Sequence, residues 1–574
     1  MKYDLVLKGG TVVDGTGLAR RRADVGIKDG LVQHVGIIPD TDPAARTMDV
    51  TGMIVAPGIV DLHTHYDPQL TFDPYATSSC YHGVTTVLAG NCGFSIAPTK
   101  ADQRDFIAAL FAKVEGMSPR ALEGVDWAFE SFAEYLEYLK GRIGVNVACY
   151  IGHSSLRRYV MGDAGSEREA TEDEIESMRV HLREALEAGA AGFSSSHAPT
   201  QEDGQGRRIP SCFGTLDELK ALVAETGLWG RGTISYLPGS VIGGLDAADG
   251  ELLMELGELS RLPIIIQGLG GRNKTDVPGA GWPEALKLLQ TAQDRGVALY
   301  SLLRNHPFDR PINLEKGCPL YAGVPVWHAI MFLPLEEKLQ KLNDPAYRDL
   351  MRNAVENPNR DKAKGSTLPP PGWDSVYVDV VTTAENQKYF RRTIASIAEE
   401  LGKTPADTML DLALSEGLKM RFRWENISES WDASVRESMQ HTAMLMGVSD
   451  GGAHLDRDDG SDWSSFFLRY WVLDQGVWSL EEGVRRITQV PAALAGFNDR
   501  GMLLPGLAAD IMVFDPETVG PYSKKPVNDM PNNEHRYSSR PRGFYATIVN
   551  GEPIVLDGEL TTALPGQILK PHQV

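Results

Sequence analysis

The sequence predicts an α/β protein: a (β/α)8 TIM barrel with a small β domain built from both chain ends and an inserted lid. Three patterns point there. The chain opens on "YDLVLKGGTVVDG" and "RADVGIKDGLVQHVG" and closes on "ADIMVFDPETV" and "FYATIVNGEPIVLDGEL", so both termini read as short strands joined by glycine turns. Between them, apolar strand-like runs alternate with helical periodicity, the rhythm of a parallel sheet covered by helices. One connection, from the run at 297–303 to the run at 444–449, spans about 140 residues and holds helices of its own, which makes it a subdomain and not a loop.

Taken in order, residues 1–55 and 500–574 form the expected β domain, and 56–499 the barrel. The candidate barrel strands are 54–61, 84–89, 145–151, 190–196, 229–235, 263–267, 297–303 and 444–449. The helices between them carry start and stop signals. Thr171 and Glu174 make a capping box before "IESMRVHLREALEA", which Gly189 ends; Thr215 and Glu218 repeat it before "LKALVAET", which Gly227 ends. Pro283 opens "EALKLLQTAQDR" and Gly296 closes it. Residues 305–440 hold "NQKYFRRTIASIAEEL", a Thr404-Pro405 start before "ADTMLDLALSE", and the link "GSTLPPPGW"; a subdomain there would lie as a lid over the C-terminal face of the barrel. A doubly wound sheet is the competing architecture.

Composition narrows the function. With 574 residues and 42% hydrophobic residues, the chain can bury a large core and more than one domain. A net charge of −21 argues against nucleic acid or an anionic membrane as partner, although a local basic pocket can still receive an acidic substrate. The N-terminus lacks the apolar core of a signal peptide, and no run of about 18 apolar residues is present. Five cysteines, at positions 80, 92, 149, 212 and 318, fit reduced thiols in a cytoplasm better than a disulfide framework. A homo-oligomer is compatible with these features but is only a base rate.

Chemistry concentrates in three motifs. In "GIVDLHTHYDPQ", His63 and His65 are two apart, hence on one side of an extended chain, at the C-terminal end of the first barrel strand, where barrel enzymes place their active sites. Two converging imidazoles suit a divalent metal, most simply zinc; solvated or core histidines are the competing reading. In "HGVTTVLAGNCGFS", Cys92 follows a short buried strand and is either a thiolate ligand or a small buried hydrophobe, while His82 falls on the opposite face as a structural residue. In "MLMGVSDGGAHLDRDDG", Asp450 leaves an apolar strand into a Gly-Gly turn, as a metal ligand and proton acceptor or as an ordinary turn aspartate.

Together "VAPGIVDLHTH", "HGVTTVLAGNCG", "VSDGGAH" and "GMLLPGLAADIMVFDP" resemble the amidohydrolase superfamily, and more narrowly its N-acyl-D-amino-acid deacylase (D-aminoacylase) branch in the longer version, across nearly the whole chain. The resemblance implies a metal-bearing barrel with a flanking β-sandwich and hydrolysis of an amide C–N bond. It maps the metal ligands onto His63, His65 and Asp450, with the branch's cysteine ligand at Cys92. The histidines that the family places after strands five and six are missing from "LWGRGTISYLPG" and "LPIIIQGLGG", and "AAGFSSSHAPT" lacks the strand-four lysine. One zinc, or another divalent ion, per chain is therefore expected.

Further roles fall to residues near strand ends. His153 and His197 are candidate catalytic groups, His454 a candidate substrate contact, and His306 more simply a polar rim residue. A free substrate carboxylate needs a cation; Arg157 and Arg304 are preferred over Arg158, Arg272 and Lys274, since a guanidinium can grip it with two hydrogen bonds. Trp327, Phe332 and Trp373 either accept a bulky acyl group or form the insertion's own core. The resulting expectation is a small-molecule amide substrate, an N-acyl-(D-)amino acid or related secondary amide. A cyclic-amide (hydantoinase-like) hydrolase and a catalytically impaired binding or assembly protein are the alternatives.

Overall fold

The computed structural model describes residues 1–574 except 242–243, 270–280, 308, 316–323, 332, 357–371, 426–428, 456–459, 523 and 573–574. Arg272, Lys274, Cys318 and Phe332 lie outside the described residues. Contacts divide the chain into two compact units, one of residues 1–198, 203–306 and 433–574, the other of 199–202 and 307–432.

In the larger unit, eight parallel strands run in chain order: β1 (Ile59–Asp61), β2 (Val84–Ala89), β3 (Asn146–Cys149, continued by Ile151–Gly152), β4 (Gly192–Ser196), β5 (Thr233–Leu237), β6 (Ile264–Gln267), β7 (Leu299–Arg304) and β8 (Met444–Gly447). Each pairs with the next, with Val87 opposite Asp61, Ile151 opposite Phe193 and Ser301 opposite Met444. Just past their ends, Thr64 bridges Gly451 in parallel, so the chain after β1 meets the chain after β8. Val60, Leu88, Ala148, Ile265, Leu302 and Leu445 come together in one buried cluster.

The expected first strand at 54–61 is two strands. Ile54–Pro57 pairs with Ile511–Phe514 in a nine-stranded sheet that joins the N- and C-terminal segments, and only after Gly58 does β1 begin. A side chain at Gly58 would put its Cβ 2.1 Å from Thr85 Oγ1, so glycine is required where the chain passes from one sheet to the other.

The helices follow their punctuation with instructive exceptions. Helix α1 (Arg104–Glu115) ends at Gly116 in the left-handed region, and α2 (Glu172–Ala188) has the full Thr171/Glu174 capping box. Helix α3 (Leu216–Trp229) is capped by Thr215 but runs past Gly227 and ends at Gly230. Gly227 is instead a close-packing residue: its Cβ would lie 2.7 Å from the Ser260 backbone of α4 (Ala247–Ser260). The expected fifth strand consequently starts later, at Thr233 and not at 229.

The smaller unit has its own antiparallel sheet, Asp309–Asn313, Arg421–Glu425 and Val376–Val380, with Thr404 capping the helix Pro405–Ser415. Trp327 is fully buried in this unit's core and donates Nε1–H to Met351 O at 2.9 Å, while Trp373 packs on the same core. Trp327 is thus a core residue of the insertion and not an acyl-group acceptor. Among the described residues, no helix is long and apolar enough to cross a membrane.

Gly192, at φ 137°, lies where β4 crosses β5, and a Cβ there would meet Thr233 O at 1.9 Å. We expect Gly192→Ala to destabilise the fold by at least about 2 kcal/mol, because the obstruction is the main chain of the paired strand and cannot swing aside as a side chain would. A lowered urea midpoint, followed by circular dichroism, checks this; an unchanged midpoint would contradict the tight β4–β5 approach.

Candidate metal and active site

The ends of β1, β2 and β8 supply the group that stands out. His63 Nε2 is 3.3 Å from Asp450 Oδ1 and 3.6 Å from Cys92 Sγ; His65 Nε2 is 3.9 Å from the same Asp450 oxygen. Donor atoms of His63, His65 and Cys92, all buried, lie within 4.8 Å of one another, the potential metal-holding group found among the described residues. Two imidazoles and a thiol, all buried, converging with a part-buried carboxylate fit a divalent ion such as zinc by donor chemistry.

Local structure explains how these side chains are held. Asp61, at the end of β1, accepts the His63 N–H at 3.2 Å and the Trp463 Nε1–H at 3.1 Å. Ser449 donates its hydroxyl to His63 O at 3.0 Å, and His65 N–H donates to Gly451 O at 2.7 Å. Asn91 fixes the Cys92 turn: its amide donates to Leu88 O at 2.9 Å and Thr64 O at 3.3 Å, and its carbonyl accepts from Ser235 Oγ at 3.0 Å. Cys92 and Asp450 both sit at positive φ, 55° and 48°. The Gln267 amide, at the end of β6, donates to Cys92 Sγ at 3.7 Å.

The charge states suit ligation. Burial, together with neighbouring His63, drives His65 down to about 3, leaving the neutral imidazole that metals bind. Burial pushes the Asp450 carboxyl upward, but the His63 hydrogen bond and the surrounding imidazoles outweigh it and hold the carboxylate ionised. Burial raises Asp61 to about 6 against its hydrogen bonds to Ser449, His63 and Trp463.

The other candidates are placed differently. His153 is fully buried, with Nδ1 on Ser195 Oγ at 2.8 Å and Nε2 on Glu218 Oε1 at 2.7 Å, so both ring nitrogens are engaged. Arg157 is paired with the same Glu218 carboxylate and donates Nε–H to Gly165 O at 3.2 Å. Both side chains, expected as a catalytic group and a carboxylate-binding cation, are fully buried and engaged by Glu218. Arg158 is buried against Asp163 and Gln103. His197 bonds the Tyr236 hydroxyl through Nδ1 at 2.7 Å, its Nε2 buried without a hydrogen-bond partner. His454 Nε2 lies 4.0 Å from Asp450 Oδ2, beside the ligand group. Arg304 ends β7 half-buried, and His306 is buried two residues on. His82 contacts Ser465 Oγ and Ser539 O. Motif reading missed Glu115, 3.6 Å from His65 Nδ1, and Gln267; neither stands in a motif, and only the fold brings them in.

The fold and this site define a class. Residues 46–218 match the amidohydrolase family. Within that class it resembles the D-aminoacylase of Alcaligenes xylosoxydans xylosoxydans, at 28% identity over 99% of this chain and 97% of that one. Its fold is that of the N-acyl-D-glutamate deacylase of Bordetella bronchiseptica, solved with zinc and a phosphonate mimic of the tetrahedral intermediate, at TM-score 0.64, 24% identity, and 99% and 100% coverage of the two chains. A D-aminoacylase studied for its binuclear metal centre matches at TM-score 0.62, 24% identity and the same coverage.

Glu218 offers a test of the buried network. Burial raises its carboxyl, but the His153 hydrogen bond and the charge of Arg157 hold it at about 2, and burial keeps His153 itself low, so Arg157 is the lasting countercharge. Glu218→Gln strands a buried guanidinium and should cost about 3–5 kcal/mol, against about 1 kcal/mol for Thr215→Ala, which removes only the cap. A depressed carboxyl stabilises above its unfolded value and loses that contribution as pH falls, so the wild-type advantage over Glu218→Gln should be full above about pH 4.5 and fade toward pH 2. Urea unfolding across that range checks both; equal losses in the two variants would contradict the network.

Proposed function

We propose that this chain is a metal-dependent amidohydrolase that cleaves a linear amide C–N bond, deacylating an N-acyl-(D-)amino acid or a related secondary amide. The observation that carries it is the convergence of His63, His65, Cys92 and Asp450 from three strand ends. The relatives named as deacylases, matched over nearly the full chain, support a linear amide over a cyclic one. In this reading the eight-strand ladder closes as a (β/α)8 barrel, supported by the Thr64–Gly451 bridge, the terminal sheet plays the β-sandwich part, and residues 307–432 act as the lid. Four free cysteines among the described residues support a cytoplasmic setting.

His63, His65, Asp450 and Cys92 would hold one zinc or similar ion. When bound, that ion supplies a Lewis acid for the amide carbonyl and a water acidic near neutral pH, about 7. Asp450, already ionised, takes the proton of the attacking water and returns it to the leaving nitrogen. His197, kept neutral near 4 mainly by burial, can carry its proton on Nε2 when the Tyr236 hydroxyl donates to Nδ1, and so can donate to a developing oxyanion. His454 lies beside Asp450 within reach of the substrate, and Arg304 is the cation proposed for its carboxylate.

We expect His63→Ala and Asp450→Ala each to lower kcat/KM on the best substrate from a panel of N-acyl-D- and L-amino acids by at least about 1,000-fold, with unchanged circular dichroism. Activity within a few-fold of wild type in either variant would defeat the reading. Chelator treatment should abolish turnover and zinc restore it, with one equivalent bound by elemental analysis. Cys92→Ala should weaken metal retention without unfolding the chain; two tightly held equivalents would overturn the single-ion mechanism.

A further inference from the structure

Helix α1 carries a carboxylate into the site by a route that the motifs do not show. Phe111, on α1, meets Phe94 edge-on at 5.5 Å, and Phe94 stacks on the His65 ring at 5.5 Å with an interplanar angle of 18°. One helical turn after Phe111, on the same face, stands Glu115, 2% exposed. Its Oε1 lies 3.6 Å from His65 Nδ1, and its Oε2 lies 4.0 Å from His454 Nε2. The Glu115 carbonyl also accepts the backbone N–H of His454.

His65 turns its other nitrogen, Nε2, toward Asp450, and Nδ1 is buried with no hydrogen-bond partner. A neutral imidazole that offers Nε2 to an ion carries its proton on Nδ1, and a buried N–H needs an acceptor. The group facing it is the Glu115 carboxylate, 3.6 Å away and just beyond hydrogen-bond range. Carboxylates behind ligating histidines fix the tautomer and ring orientation.

We propose that Glu115 is a positioning residue: its carboxylate accepts a hydrogen bond from the His65 Nδ1–H, which directs Nε2 to the Asp450 side, and it ties the loop bearing His454 to the same point. This rests on the metal-site reading above.

The test is zinc affinity, measured by competition with a chromogenic chelator, for wild type, Glu115→Gln, Glu115→Asp, Glu115→Ala, His65→Ala and the double variant Glu115→Ala/His65→Ala. Wild type is measured first; uptake of no divalent ion would overturn the metal reading itself, and this proposal with it. Given uptake, Glu115→Ala should bind zinc about 10–100-fold more weakly, Glu115→Gln less so, and Glu115→Asp least. Once His65 is absent, Glu115→Ala should bring no further loss, a coupling that a merely structural role would not produce. Wild-type affinity in a folded Glu115→Ala chain, or an equal further loss in the His65→Ala background, would overturn the proposal. If Glu115→Ala fails to fold, Glu115→Gln and Glu115→Asp carry the test, and wild-type affinity in both would overturn it.

Discussion

The site depends on one main-chain contact, the hydrogen bond from His65 N–H to Gly451 O, 2.7 Å long. Beside it, the Ser449 hydroxyl reaches His63 O across 386 residues of sequence and accepts Gly451 N–H at 2.9 Å. These links press the histidine pair of one chain end against the aspartate turn of the other. They also explain the two glycines after Asp450. A Cβ at Gly451 would lie 2.8 Å from the Tyr66 ring, and one at Gly452, at φ 84°, would lie 2.9 Å from His65 O. The Gly-Gly pair is a condition for backbone approach, and the position of Asp450 follows from it.

That approach carries strain. Val448 (φ 74°), Asp450 (φ 48°), His454 (φ 53°) and Cys92 (φ 55°) all lie in the left-handed region, which costs non-glycine residues about 1–3 kcal/mol each where it is sparsely populated. Val448, β-branched, is the least suited to it. Such conformations persist only where the surroundings over-determine them. Here the hydrogen bonds of Asn91, Ser449 and Asp61 do so: Asn91 and Ser449 each satisfy buried main-chain groups on two segments, and Asp61 joins the His63 N–H to the Trp463 indole. The rigidity this confers is what a ligand set needs if it is to hold its geometry before an ion or substrate arrives.

Sequence reading recovered what local chemistry encodes and lost what depends on tertiary competition. Strand positions in the parallel series were legible because buried strands read as short apolar runs, and His63, His65, Cys92 and Asp450 because turn residues mark the ends of those runs. The break at Gly58 was hidden, since both halves of 54–61 are apolar and only the identity of their sheets separates them. Gly227 looked like a helix stop because helix-ending and helix-packing glycines are the same residue type; the backbone of Ser260 decides between them. Arg157 and Arg304 were alike in sequence, each following a strand, yet one is consumed by Glu218. Glu115 had no signal at all: a glutamate before a glycine at a helix end is ordinary, and only the fold brings it to 3.6 Å from His65.

Glu218 shows how one residue satisfies two patterns while serving only one. At the third position after Thr215 it fits a capping box, and Thr215 does accept its N–H at 3.1 Å. Its own carboxylate does not turn back to the cap; it lies fully buried between His153 and Arg157. The energetic ordering decides this, because a cap arm at a wet helix end is worth about 1 kcal/mol, whereas leaving a buried guanidinium unpaired costs several times that. The choice propagates. His153 also bonds Ser195 of β4, and just past that strand His197 bonds the Tyr236 hydroxyl through Nδ1. The buried ion pair thus tethers β4 through His153 and Ser195.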